Sequence, residues 1–377
     1  MSGIYIHIPF CKQACHYCDF HFSTQMGKKE VMIKALAREL ELRANKLKNE
    51  IVSTIYFGGG TPSVLEVAEI QALLHTIHKN FKVVELPEIT LEANPDDLND
   101  DKLSELSKAG INRMSIGIQS FFDEDLQLMN RAHTAIEAEN SLRSASALFD
   151  NLSIDLIYGI PNMSNERWLQ NIKKALSFNI PHISSYALTV EPKTALKKFI
   201  EKGLVPNVDD EQAQVQFHLL VELMETEGFV NYETSNFGKR GYFSKNNTAY
   251  WQGQKYLGIG PSAHSFDGKK RGWNIRNNIK YIQAIAKDQL PMETEILTKT
   301  DCYNEYVMTG LRTIWGVSLK KVKNDFGSNY ETYLQQQVQR HLESHLLFFD
   351  GDVLKTTKKG KFLVDGIAAD LFMLNLK

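Results

Sequence analysis

Six short runs rich in β-branched and aromatic residues, separated by stretches of helical periodicity, fill the first half of this 377-residue chain. The runs are Ile4–Ile8, Thr54–Phe57, Glu88–Ala93, Arg113–Ile118, Ser153–Tyr158 and Ile183–Val190. Between them, apolar residues at helical spacing predict helices over Lys29–Lys48, Val64–His78, Leu98–Lys108, Ala135–Leu148 and Glu166–Ser177. Strands that alternate with helices build a parallel sheet through right-handed crossovers. Six units are too few for the eight-stranded closed barrel. The expected fold is therefore α/β, an open, partial (βα)6 barrel, with a doubly wound sheet as the second choice.

From Asn207 the alternation weakens. Asp209–Glu227 predicts one more long helix, and the Gly- and Asn-rich stretch that follows, Asn231 to Asn278, reads as irregular. The chain thus divides into a barrel core over 1–230, an irregular connecting segment over 231–298 and a C-terminal unit over 299–377. The C-terminal unit predicts helices over Cys302–Ile314, Leu319–Asn324 and Tyr330–Leu346, a hairpin at Asp350-Gly351 and a final helix after Gly360. That order is similar to a winged helix, read here as a packing cap on the barrel.

Composition excludes several classes of function. A net charge of −2 gives no broad attraction to nucleic acid or to an anionic membrane. The opening MSGIYIHIPFC lacks the basic and long apolar regions of a signal peptide. No apolar run approaches the roughly 20 residues that span a bilayer. The expectation is a cytoplasmic protein whose thiols stay reduced and free for metal.

Three of the four cysteines lie within eight residues: Cys11, Cys15 and Cys18, spaced C-x3-C-x2-C in IHIPFCKQACHYCDF. Three thiolates this close can serve one soft metal centre, and an odd number cannot all pair as disulfides. Iron–sulfur clusters take thiolate ligands, usually four, so three leave one iron open to a substrate or cofactor. A structural zinc that recruits His16 and a trio of small buried hydrophobes are the competing readings.

Polar residues gather at the ends of the predicted strands. The second runs into Gly58-Gly59-Gly60-Thr61-Pro62, the third ends at Glu92 and Asn94, the fourth at Gln119 and Ser120, and the fifth carries Asp155. In α/β barrels the site lies at the C-terminal strand ends, and the first strand delivers the cysteine loop to that same end. Glycines there let the backbone approach a ligand closely. Pro62 suits the first position of a helix, which Thr61 is placed to cap. His7 alternates with Ile6 and Ile8 and is read as facing the barrel interior.

The cysteine motif directly after an N-terminal strand, with an aromatic before the last cysteine, resembles the radical S-adenosylmethionine (SAM) enzymes. The match extends through YFGGGTPS, LEANPDDL, RMSIGIQSF, LMNRAHT, SIDLIYGIP, YLGIGPSAHS and TGLRTIWGV. Within that superfamily the chain is most similar to the oxygen-independent coproporphyrinogen dehydrogenase group, and there to the HemW-type haem chaperones. The resemblance implies that Cys11, Cys15 and Cys18 hold a 4Fe-4S cluster whose fourth iron is chelated by the amino and carboxylate groups of SAM. It implies that Tyr5 and Tyr17 face SAM and that Gly59, Gly60 and Thr61 line its amino-acid end. Arg131 would pair with its carboxylate, Glu92, Gln119 and Asp155 would hold its ribose and amino group, and Ala187 would give adenine a backbone contact. His133 and His264 sit in matching motifs.

Two departures bear on function. The dehydrogenases carry a further cysteine two residues after the last cluster ligand; here that residue is Phe20, as in the haem chaperones. Haem chaperones usually carry H-N-x-x-Y-W; here the segment is Lys245-Asn246-Asn247-Thr248-Ala249-Tyr250-Trp251. Asn246 stands where the histidine would be, so Tyr250 and Trp251 remain as haem contacts and an iron ligand must come from elsewhere, with His264, His218 and Cys302 as candidates. The implied function is a chaperone that binds cluster, SAM and haem and delivers haem to respiratory haemoproteins, at the membrane, with flavodoxin or ferredoxin as electron donor and a homodimer as its loaded form. The other implied function is oxidative decarboxylation of coproporphyrinogen III. The dehydrogenases also have an N-terminal extension before the first strand, whereas here that strand is expected three residues in.

Overall fold

The computed structural model describes residues 1–374. Six strands run parallel and adjacent in chain order: β1 (Ser2–Ile8), β2 (Val52–Gly59), β3 (Val83–Ala93), β4 (Arg113–Gln119), β5 (Leu152–Tyr158) and β6 (His182–Ala187). A doubly wound sheet would reverse direction at a switch point; this order never reverses, so that second choice falls. Right-handed crossovers stepping steadily one way carry the helices that connect these six strands to the same face. The opposite face is left free of these crossover helices; the short helix Lys245–Trp251 packs at its rim, and there the site is built.

The strand side chains sort accordingly. Ile4, Ile6, Ile8, Ile55, Phe57, Leu91, Ile116 and Ile154 alternate onto the helix-bearing face and are fully buried, in one cluster with Leu36, Leu40, Ile70 and Trp168 from the helices. The intervening positions are largely polar: Tyr5 and His7, Thr54 and Tyr56, Thr90 and Glu92, Ser153 and Asp155. Because side chains alternate along a strand, one sequence pattern supplies an oily outer wall and a polar lumen.

Residues 231–298, expected to be irregular, instead extend the sheet to twelve strands. β7 (Val230–Glu233) and β8 (Asn236–Gly238) form a hairpin antiparallel to β6. β9 (Lys255–Ile259) pairs parallel with β1, and β10 (His264–Phe266), β11 (Lys270–Asn274) and β12 (Met292–Ile296) follow antiparallel. These strands have three to five residues, too short to show alternation among the glycines and asparagines. The edges β7 and β12 are not paired with each other among the described residues, so the barrel is open.

The C-terminal unit has its own core of Tyr303, Val307, Leu311, Val322, Leu334, Leu354 and Ile367. Its helices run over Lys299–Leu311, Leu319–Phe326, Ser328–Gln337 and Val364–Asp370. A small sheet, β13 (Val317–Ser318), β14 (Leu347–Asp350) and β15 (Val353–Thr356), turns at Gly351.

Candidate cofactor and ligand site

The cysteine loop leaves the C-terminal end of β1 and is pinned by main-chain bonds. Cys11 N–H donates to Ser23 O, and Ser23 N–H returns to Pro9 O at 3.0 Å. His16 N–H donates to Met129 O, the His16 ring lies 2.8 Å from Leu128 O, and the Asn130 amide donates to Ala14 O. His16 is therefore committed to the 128–131 turn. Two side chains point at sulfur: the Thr61 hydroxyl lies 3.3 Å from Cys11 Sγ and Arg131 Nη1 lies 3.4 Å from Cys15 Sγ. Thr61 makes no cap to the short helix Pro62–Val64, in which Pro62 takes the first turn.

Burial pushes the Cys11 thiol up to about 12, opposed by the Thr61 hydrogen bond, and the Cys18 thiol up to about 11. Such thiols ionise when a metal's charge repays the desolvation. Among the described residues no three His, Cys, Asp or Glu converge on a point that would hold a single ion. A cluster asks for a different arrangement, since each thiolate binds its own iron. Three half-exposed thiols in one pinned loop fit that donor set.

Behind the loop, Arg131 donates through Nη2 to Asn94 Oδ1 at 2.7 Å and to Gly117 O at 2.9 Å, while its buried Nε has no partner among the described residues. Tyr17 lies beside Arg131, and burial raises its phenol. Gln119 closes β4 in the left-handed region at φ 67°, a strained conformation of the kind that gathers at ligand sites. Lower in the lumen, Glu92 accepts from the Tyr56 hydroxyl at 2.7 Å and from Gly59 N–H at 3.2 Å. Burial raises Glu92 to about 7 and Asp155 to about 6. A Cβ on Gly58 would come within about 3 Å of Tyr5, Tyr56 and Glu92. Gly59 has φ 108°, and a Cβ there would strike His7. The lumen thus offers an anionic group and open backbone to a cationic, hydroxyl-rich ligand, and these residues fit SAM.

The lumen opens into a cavity of about 830 Å³, ample for a drug-sized or larger ligand. Tyr5, His7, Gly59 and Glu92 line one part of it; Phe20, Tyr250, Trp251, Tyr256 and His264 are among the residues that line the rest, with Arg271, Arg276 and Arg312 and the acidic side chains of Asp19 and Glu233. A second void of about 50 Å³, walled by Glu92, Asp155, Arg113, Ser115 and Ser184, adjoins it through Tyr56. A volume of this size walled by aromatic rings and guanidinium groups fits a flat, carboxylate-bearing macrocycle such as haem.

The expected residues are therefore brought together in two neighbouring groups. Cys11, Cys15, Cys18, Tyr17, Thr61 and Arg131 surround the loop, and Tyr5, Gly59, Glu92 and Asp155 lie below it. Gly60 fixes the backbone, its N–H donating to Ile8 O at 2.8 Å, and Ala187 ends β6 beside Tyr158, outside the walls of both voids. Of the three candidate iron ligands, His264 lines the cavity while His218 and Cys302 do not. His133 is buried with its ring on Ile118 O, away from the cavity, and His7 faces the lumen as expected. Sequence reasoning missed Tyr56 and Asn94 as partners of Glu92 and Arg131. The signal for Tyr56 was its place between Thr54 and Gly58 on the inward parity of β2. Tyr256 and Arg271 lay in the segment read as irregular.

Residues 5–175 match the Radical SAM superfamily and residues 297–363 the HemN C-terminal domain. The chain belongs to the radical SAM superfamily. Among relatives, the heme chaperone HemW of Bacillus subtilis (strain 168) is 34% identical over 96% of this chain and 97% of that protein. The HemW of Lactococcus lactis is 32% identical over 97% and 98%, respectively. The mouse mitochondrial radical S-adenosyl methionine domain-containing protein 1 is 31% identical over 98% and 87%. Within the superfamily, then, this is a HemW-type protein. The solved structure of Escherichia coli coproporphyrinogen III oxidase (HemN) superposes with a TM-score of 0.86 over 98% of this chain and 90% of that one; at 23% identity it shows the shared fold alone.

Proposed function

We propose that the protein is a haem chaperone. It holds a 4Fe-4S cluster on Cys11, Cys15 and Cys18, SAM between Arg131 and Glu92, and haem against Tyr250 and Trp251, and it delivers haem to respiratory haemoproteins. The observation that carries this reading is Phe20. Where the decarboxylating branch has a thiol, Phe20 stands on the cavity wall, 69% exposed. An exposed apolar ring is costly in water and useful beside an apolar cargo.

The chain's own residues would work as follows. The Thr61 hydroxyl favours the thiolate form of Cys11, and the Arg131 guanidinium sits beside the Cys15 sulfur. Arg131, fixed by Asn94 and Gly117, keeps further donors for a carboxylate. Glu92, oriented by Tyr56 and Gly59, accepts from hydroxyl and ammonium groups. A neighbouring cation completes its ionisation near neutral pH. When bound, the cluster would chelate SAM and supply electrons for reductive chemistry. Flavodoxin or ferredoxin as donor, transfer at the membrane and a loaded homodimer complete the proposal, with the cytoplasm as its site. No helix among the described residues is long and apolar enough to cross a membrane.

An anaerobic assay tests the choice of function. Reconstituted protein is mixed with SAM, a reductant and coproporphyrinogen III, beside an authentic dehydrogenase. The expected result is no protoporphyrinogen together with stoichiometric haem uptake. Loss of two carboxylates from the porphyrinogen would establish the dehydrogenase reading instead.

A further inference from the structure

One face of the sheet edge carries an unusual set of side chains. His264 pairs with Trp273 across β10 and β11, and Phe266 pairs with Arg271. Residues two apart on a strand share a face, and so do directly paired residues. His264, Phe266, Arg271 and Trp273 therefore project together. Tyr256 of β9, paired with Phe266, joins them at 6.5 Å between rings, and Tyr250 packs on Tyr256 at 5.5 Å. The result is one imidazole and one guanidinium set among aromatic rings on the wall of a large cavity.

Three histidines line that cavity. His7 has both ring nitrogens engaged, Nε2 with His21 O at 2.8 Å and Nδ1 with the Tyr5 hydroxyl at 3.3 Å. His21 Nε2 lies 2.7 Å from Asn278 Oδ1, and its ring stacks on His7. His264 touches Trp273 at 6.1 Å between rings and makes no side-chain hydrogen bond among the described residues. Asn246 cannot substitute, since an amide is a poor iron ligand and its oxygen accepts from the Thr54 hydroxyl. Beyond the end of β11, Arg276 donates to the Asp19 main-chain carbonyl and is in no ion pair with the described acidic groups. Arg271 meets Glu305 at 2.5 Å, and its five donors leave room for a second acceptor.

We propose that His264 would bind haem iron in this chain and that Arg271 and Arg276 would take the haem propionates. The proposal rests on the haem-chaperone reading above. It relocates the ligand from the helix Lys245–Trp251 to the β10–β11 hairpin and leaves Tyr250 and Trp251 as packing surfaces.

Titration of the reconstituted full chain with ferric haem, followed by visible absorbance and electron paramagnetic resonance, tests this. The wild type is expected to show a histidine-ligated spectrum. His264→Gly should lose that signature and bind at least tenfold more weakly, and millimolar imidazole should restore the signature. His264→Gln guards against a folding defect, and iron content per chain confirms that both variants fold. Arg271→Gln with Arg276→Gln should weaken haem at least tenfold while leaving binding of haem dimethyl ester unchanged. An unaltered spectrum in His264→Gly, with the signature lost in His21→Ala, would overturn the ligand assignment and leave the chaperone reading standing. Equal affinity of the wild type for haem and its diester would overturn the propionate assignment. Absence of haem binding by the wild type would sink the chaperone reading, and the ligand assignment with it.

Discussion

The two walls of the lumen are built to different rules. On β1 to β5 every inward polar residue is backed by an outward Ile, Leu or Phe buried against helices, so neither face can slip. Tyr56, Glu92 and Gly59 are locked in one hydrogen-bonded group. On β9 to β12 the strands are short, the outermost is largely exposed, and the cavity-facing residues meet through ring contacts. A wall fixed by register suits a small cofactor that must be held the same way each time. A wall of rings at a sheet edge suits a flat cargo that must also leave.

That contrast can be broken experimentally at several strengths. Cys15→Ala should abolish the cluster, taking iron after anaerobic reconstitution from about four per chain towards none; a full complement would remove Cys15 from the ligand set. Ile154→Ala, at a fully buried site on the rigid wall, should cost about 2–5 kcal/mol in denaturant unfolding. Glu92 and Asp155 give a pH signature. Both carboxyls titrate higher folded than unfolded, so the folded state keeps protons that the unfolded chain has released. Their contribution is present below about pH 4 and is lost as pH rises through about 6 and 7. For Glu92 the loss is at most on the order of 3 kcal/mol. Glu92→Gln should flatten that slope in the ligand-free protein, and an unchanged slope would discard the assignment. Arg131→Ala should weaken SAM about ten- to hundredfold by calorimetry while sparing iron content, as expected for one charged hydrogen-bonding group. At the exposed edge, Ile296→Ala, 72% exposed, should move stability by less than about 0.5 kcal/mol. A loss comparable to that of Ile154→Ala would erase the distinction between the walls.

The same distinction explains what the sequence made legible. The six parallel strands emerge within a few residues of their expected bounds because long apolar alternation marks them. The largest shift is at β3, which starts at Val83 instead of Glu88, across the exposed Leu86. The long helices likewise hold, although Lys29–Lys48 breaks after Leu42 into a 3-10 turn. The short helices Asp123–Leu128 and Ala195–Glu201 were not foreseen, having too few residues for a period. Strands β7 to β12 were illegible for the same reason. The cysteine loop and the strand-end carboxylates could be read because their chemistry is local. The Arg271–His264 face could not, since it exists only once two hairpin strands are set in register.

Arg312 carries a consequence for any attempt to shorten the chain. It caps the first C-terminal helix yet reaches back to Glu233 on β7 at 2.9 Å, pairs with Asp365 and lies over the Trp251 ring at 5.1 Å. Glu233 is 1% exposed. Ending the protein before residue 299 would remove more than a peripheral module. It would strand a carboxylate inside the barrel and strip the cation from the face of one of the cavity's rings. The C-terminal unit is in this sense the barrel's counter-ion, and the two units are electrostatically inseparable although each has its own core.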